Sequence, residues 1–250
     1  MIFGAVDAER IKLQSVRSPL WLALTVAVLS LGFAAVQAAA ALPYSTLGPE
    51  RAALGVAMFG VPVLMILAAL SVTGEYRTGM IRTTFMATPH RWQVLVAKAI
   101  VGITLSGVLA ALMSLGSMIL IQAMVDGRQG EQLALTEFGV WRTTGAVALY
   151  AGSAALLAVG LGALLRHSAA VIAVLLLLPF VVEPLLGATP GVGSKLGPLL
   201  PFANANAFTG IPWLQSFSMF WGPVGSAVYF AGVSAAMFVA AVMVVGRRDP

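Results

Sequence analysis

The chain has 250 residues, 60% of them hydrophobic and only 9% charged, where a soluble domain carries roughly 25% charged residues to solvate its surface. That balance excludes a water-soluble globular domain and predicts an all-α integral membrane protein. The formal charge of +5 suits anionic lipid at a membrane surface, no basic patch interleaved with aromatics points to nucleic acid, and the lack of cysteine excludes disulfides and thiolate chemistry.

Residues 1–18 carry Ile2, Val6, Leu13 and Val16 at helical spacing, with Asp7, Arg10 and Arg17 elsewhere. This predicts a short helix along the inner membrane interface, with a frayed tail as the alternative. Uncharged runs follow at 18–49, 52–74, 99–125, 143–165, 167–182 and 196–246, and about 20 apolar residues suffice to cross the hydrocarbon. The last run is interrupted by Pro198, Pro201, Pro212 and Pro223 with Asn204 and Asn206, so only about 224–246 reads as its span.

Six transmembrane helices result, at about 19–42, 52–73, Pro89–Val125 with Thr88 as its cap, up to Leu165, up to Leu186, and 224–246. The runs are too long and too unalternating for barrel strands. The segment 187–223 is the longest outer loop, and it keeps apolar pieces, Leu199–Phe202 and Trp213–Trp221, suited to short broken helices dipping into the outer leaflet. No internal repeat divides residues 1–250, which form one membrane domain.

Placing the amino terminus inside puts Arg10, Lys12, Arg17, Arg77, Arg82, Arg91, Lys98, Arg166, Arg247 and Arg248 on the cytoplasmic side and leaves Arg51, Arg128, Arg142 and Lys195 outside. The excess inside orients the chain with both termini cytoplasmic. Trp92 and Lys98 then read as ordinary interfacial anchors at the inner end of the third span.

Enzyme signatures are missing. The sequence has no H-E-x-x-H, no G-x-S-x-G and no pair of intramembrane aspartates, and His90 and His167 are not at metal-ligand spacing. Gly191–Lys195 lacks the order of a phosphate-binding loop and reads as a turn. Without such a loop the chain must borrow energy from a partner or use a gradient. Glu183, followed by Pro184, is the one carboxylate close to the membrane interior, read as a coupling group or as an interfacial or subunit-contact carboxylate. Small residues recur every fourth position at Ala154, Ala158 and Gly162 and at Gly232, Ala236 and Ala240; such rows let helices approach closely, within one subunit or between two.

The segment 74–91 is the most specific part of the chain. From Glu75 to Phe85, Tyr76, Met80 and Thr84 or Phe85 recur at helical spacing while Arg77 and Arg82 project toward water, which predicts a short amphipathic helix between two spans. Its other reading is a connector that touches only lipid headgroups.

The run Glu75-Tyr-Arg-Thr-Gly-Met-Ile-Arg-Thr-Thr-Phe-Met-Ala-Thr-Pro-His-Arg, followed by Lys98, resembles the segment after the second membrane helix in ABC-2 type permeases, especially small six-helix actinobacterial subunits. Met80 stands where threonine is frequent in that pattern and Phe85 where leucine is. The resemblance implies that this helix is a coupling helix seated in a separate ATP-binding subunit, with Glu75, Tyr76, Arg77, Met80, Ile81, Arg82 and Thr83 as its contact surface. It further implies a second permease subunit, ATP and magnesium on the ATP-binding partner with no cofactor on this chain, and a bacterial plasma membrane. Export of a drug, lipid, peptide or glycan is the implied activity, through a cavity bordered mainly by helices 2 and 5. A self-contained secondary carrier or channel is the alternative, which the scarcity of buried charge disfavours; an intramembrane enzyme or a scaffold lacks a positive signal.

Overall fold

The computed structural model describes residues 2–15, 17–42, 46–87, 91–211 and 218–247, and every regular element among them is helical. A first helix, α1 (Ile2–Ser15), precedes α2 (Ser18–Ala39). Then come α3 (Pro49–Thr78), α4 (Met80–Ala87), α5 (Arg91–Met124), α6 (Phe138–Leu165), α7 (Ser168–Ala188), α8 (Pro201–Thr209) and α9 (Pro223–Arg247). Six of these, α2, α3, α5, α6, α7 and α9, are long and apolar enough to span a membrane, so the chain is a multi-pass membrane protein.

The bundle is built around α6. It packs against α5, α9 and α3, while α2 leans on α5 and α7 leans on α3. The apolar stretches of α3 and α6 are each 67% buried, against 17% for α2 and 22% for α7 and α9. The three outer helices therefore present most of their apolar surface to lipid or to another membrane protein.

Small residues let α6 sit at the centre. A methyl group at Gly160 would come within 3.1 Å of the Phe238 backbone, and one at Gly162 within 3.2 Å of the Ala69 carbonyl. The Ala154, Ala158, Gly162 row thus packs helices inside one chain, whereas Gly232 and Ala236 of the second row face outward on α9.

Two spans contain a widened turn, Val56–Gly60 in α3 and Leu178–Val182 in α7. The sequence supplies a cause for each. Proline has no N–H to return to the carbonyl four residues earlier and its ring crowds that carbonyl; Pro62 looks back on Met58 and Pro184 on Phe180, and a turn with one extra residue relieves the crowding.

Differences from the sequence reading are local. Helix α3 runs on to Thr78 instead of ending near residue 73, so the expected amphipathic helix from Glu75 to Phe85 is divided. Gly79 makes the break, with φ of 72°, a left-handed conformation that glycine adopts without steric penalty and that commonly closes a helix. Thr88, Pro89 and His90, including the expected cap of the third span, lie outside the described residues, as do residues 213–217 of the Trp213–Trp221 piece. Within 187–223 the chain forms short turns at Gly193–Leu196 and Gly197–Leu199 before α8.

Candidate functional site

The side of the bundle that carries α1 holds a four-residue charge network. Lys98 of α5 places its Nζ 2.7 Å from an Oε of Glu9 in α1, 2.7 Å from Oε1 of Glu75 at the end of α3, and donates to the Ser71 carbonyl at 2.9 Å. Lys12 adds bonds of 2.8 Å to Glu9 and 2.7 Å to Glu75. Two carboxylates and two ammonium groups leave the cluster neutral.

Its burial is what makes the cluster unusual. Lys98 is 3% exposed, Glu9 6% and Glu75 7%, so these charges have exchanged water for one another, an arrangement that holds only while each has its partner. The reading of Lys98 as a snorkelling anchor is corrected here. Its ammonium turns inward to two carboxylates rather than outward to headgroups. Lys12 lies at the rim, where burial lowers its pKa but hydrogen bonds and attraction from Glu75 and Glu9 outweigh this and hold it above its ordinary value of 10.5. Glu75 Oε2 is buried and makes no hydrogen bond among the described residues.

Through this network α1 is fixed to two spans at once. Its only deeply buried described side chain is Glu9, and it packs along α5. An apolar stripe along the inner interface was the sequence expectation; the structure adds ion pairs that join α1 to α3 and α5.

Next to the network stands α4. Ile81 and Phe85 are buried, while Met80, Arg82, Thr83 and Met86 are exposed, the four-residue interval between the buried pair giving the helix one inner and one outer face. Two cation–π contacts hold its surroundings: the Arg91 guanidinium lies 5.4 Å from the Phe85 ring centre, and Arg166 lies 5.0 Å from that of Tyr76. Arg166 closes α6 in the left-handed conformation, φ 55°. Ser168, opening α7, donates to Thr73 Oγ1 at 2.9 Å, so α3, α6 and α7 meet at one corner.

The seven residues singled out in the sequence therefore divide. Arg77, Met80, Arg82 and Thr83 are exposed, Tyr76 is half-buried beneath Arg166, and Glu75 and Ile81 face inward. A rigid partner can reach the first four, while Glu75 acts within the protein. Sequence reasoning missed Glu9, whose signal was a carboxylate three residues before Lys12 on a segment otherwise short of acids.

At the opposite end of the bundle Glu183 caps α8. Its two oxygens accept the backbone N–H groups of Phe202 at 2.9 Å and Ala203 at 2.7 Å, and Pro201, which has no N–H to offer, fills the first position of that helix. A carboxylate at a helix start satisfies two donors and opposes the positive end of the helix dipole. Asn204, fully buried, donates to the carbonyls of Pro198 and Leu200 and accepts from Trp221 Nε1 at 2.6 Å. Tyr229 donates to the Leu199 carbonyl at 2.7 Å. These bonds tie the loop before α8 to the start of α9.

Neither the coupling role nor the subunit-contact role considered for Glu183 is needed to account for its position, since both oxygens are engaged by backbone. No group of three or more histidine, aspartate and glutamate side chains among the described residues is placed to hold a metal ion. Comparison with models of known protein families and with curated proteins finds no match for this chain.

Proposed function

We propose that the chain is the membrane-spanning subunit of an ATP-driven exporter, in which α4 receives force from a separate ATP-binding subunit. The observation that carries this reading is the two-faced α4: its inner face is packed by Ile81 and Phe85, and its outer face offers Met80, Arg82 and Thr83. A helix so mounted passes a push to α3 directly through Gly79 and to α6 through Tyr76 and Arg166. The charge network extends the connection to α1 and α5, so that the elements on this side move as a block, as an alternating-access transition requires.

On this reading the α1 side is cytoplasmic, two copies or two related permease subunits form the pathway, and ATP with magnesium belongs to the partner. The cargo is a drug, lipid, peptide or glycan. The test is to solubilise tagged protein gently from its native membrane and identify what co-purifies. An ATPase that is recovered with the native chain and lost with Arg82→Glu supports the reading. A lone chain that stays folded and moves solute in liposomes under an ion gradient overturns it in favour of a secondary carrier.

A further inference from the structure

The charges that hold α1 in place form a pattern that something other than α1 can satisfy. Glu9 presents a carboxylate to Lys98 at 2.7 Å, and Lys12 presents an ammonium to Glu75 at 2.7 Å. Spaced to share one helix face, these two side chains together amount to a zwitterion laid against a complementary pair on α5 and α3. Beside them Leu13 borders a crevice walled by Leu67 and Ala68 of α3 and by Val101 and Leu105 of α5. Helix α1 thus brings an anion, a cation and an apolar side chain to a single seat.

That seat is incompletely filled. Glu75 Oε2 is buried without a hydrogen-bond partner among the described residues, although buried polar groups are nearly always paired. The crevice beside Lys98 keeps only about 20 Å³ open, room for one water, so a larger occupant takes the space that α1 now fills. Lifting α1 exposes little core, because Glu9 is its only deeply buried described side chain.

We propose that the seat of α1 is a lipid site with α1 as its lid, and that the occupant replacing α1 is a membrane lipid whose headgroup joins a phosphate to a primary ammonium. The phosphate takes the place of the Glu9 carboxylate on Lys98. The ammonium takes the place of Lys12 on Glu75, where its three donors can serve Oε2 as well as Oε1. An acyl chain follows Leu13 along the crevice, which runs from Lys98 to Leu105 over about 10 Å of helix. Leu13, Val101 and Leu105 are half-buried, so the crevice borders the bilayer and the lipid enters sideways.

Charge selects the headgroup. Exchanging the Glu9–Lys12 pair for a zwitterion keeps the site neutral, whereas a phosphatidylglycerol headgroup adds a negative charge beside Glu75 and brings no cation. A phosphatidylcholine headgroup has a cation but no N–H to donate. The Lys98–Glu75 bond is untouched by the exchange, so α3 and α5 stay joined while α1 leaves. The site stands whether or not the chain is driven by ATP.

Photolabelling of the full-length protein in lipid nanodiscs tests the assignment. The probe is phosphatidylethanolamine with a diazirine in one acyl chain, compared with phosphatidylglycerol and phosphatidylcholine probes of the same chains. Glu9→Ala with Lys12→Ala removes a neutral pair and leaves Lys98 with Glu75. In this variant phosphatidylethanolamine labelling of peptides 67–71 and 101–106 should rise about tenfold over the native protein, the scale of one hydrogen bond to a charged group, while labelling by the other two lipids stays low. Adding Lys98→Met and Glu75→Gln should return it to background. A second measurement needs no change in the network: the chain has no cysteine, so Leu13→Cys and Val101→Cys joined by a short bismaleimide report whether α1 is seated. Cross-linking should fall as phosphatidylethanolamine replaces phosphatidylglycerol or phosphatidylcholine in the nanodisc. Equal labelling by the three probes, or cross-linking that is the same in all three lipids, overturns the proposal.

Discussion

Lys98 Nζ and Glu75 Oε1 lie 2.7 Å apart, on consecutive spans and both nearly out of reach of solvent. Such a pair is worth little relative to an apolar replacement of both residues, but removal of one partner strands the other in a poorly polarisable place. Lys98→Met alone should destabilise the protein by about 3–5 kcal/mol, read as a large drop in melting temperature in detergent. Lys98→Met combined with Glu75→Gln leaves the neutral Glu9–Lys12 pair and should recover much of the loss. Strict additivity of the two single effects would show that the charges do not interact.

Positions on α4 should separate function from folding. Met80→Glu and Arg82→Glu place a carboxylate on an exposed face and should leave insertion and melting temperature within experimental error while, on the proposed exporter reading, abolishing co-purification of an ATPase. Ile81→Glu buries a carboxylate without a partner and should lower yield and stability, at a cost of several kcal/mol. Fluorescence-detected gel filtration of the three variants side by side is the measurement. Equal behaviour of Ile81→Glu and Arg82→Glu would remove the two-faced helix.

Two glycines five residues apart should respond with opposite sign. Gly74 lies within α3 and an added methyl group there meets nothing within 4 Å, so Gly74→Ala should stabilise by about 0.5–1 kcal/mol through helix propensity. Gly79→Ala forces an alanine to φ of 72° and should cost about 1–2 kcal/mol. Thermal melting of both variants in one detergent decides; a stabilised Gly79→Ala would mean that the break between α3 and α4 is not set by this residue.

Glu183 predicts a graded series. Glutamine keeps one oxygen for the N–H groups at the start of α8, whereas alanine leaves both without their acceptor. Loss of a helix cap costs about 0.5–2 kcal/mol, so Glu183→Gln should fall between the native protein and Glu183→Ala. Limited proteolysis within residues 189–200 should accelerate in the same order. Similar cleavage of all three proteins would remove Glu183 as the support of α8.

The six spans were legible because long uncharged runs admit few other structures in a membrane, and Pro198, Pro201, Pro212 and Pro223 separated the last span from the loop before it. The network was only half legible. Arg77 and Arg82 could be assigned to water from helical spacing, but a lysine at the end of a span has two low-energy options, to snorkel or to find carboxylates, and the choice for Lys98 depends on Glu9, 89 residues away. The interruption at Gly79 was visible as a glycine and was obscured by helical spacing that continued on both sides. Glu183 stood out as a lone carboxylate, yet its partners are backbone groups of a helix whose position depends on the folded bundle.

Because Glu9 and Lys12 precede Glu75 and Lys98 in synthesis, α1 cannot be seated until the third span has been inserted. During that interval its charges have only water, lipid headgroups or each other as partners. Closure of the network therefore waits on the insertion of the third span. A nascent chain arrested before residue 98 should leave its amino-terminal helix open to protease, and release past that point should protect it.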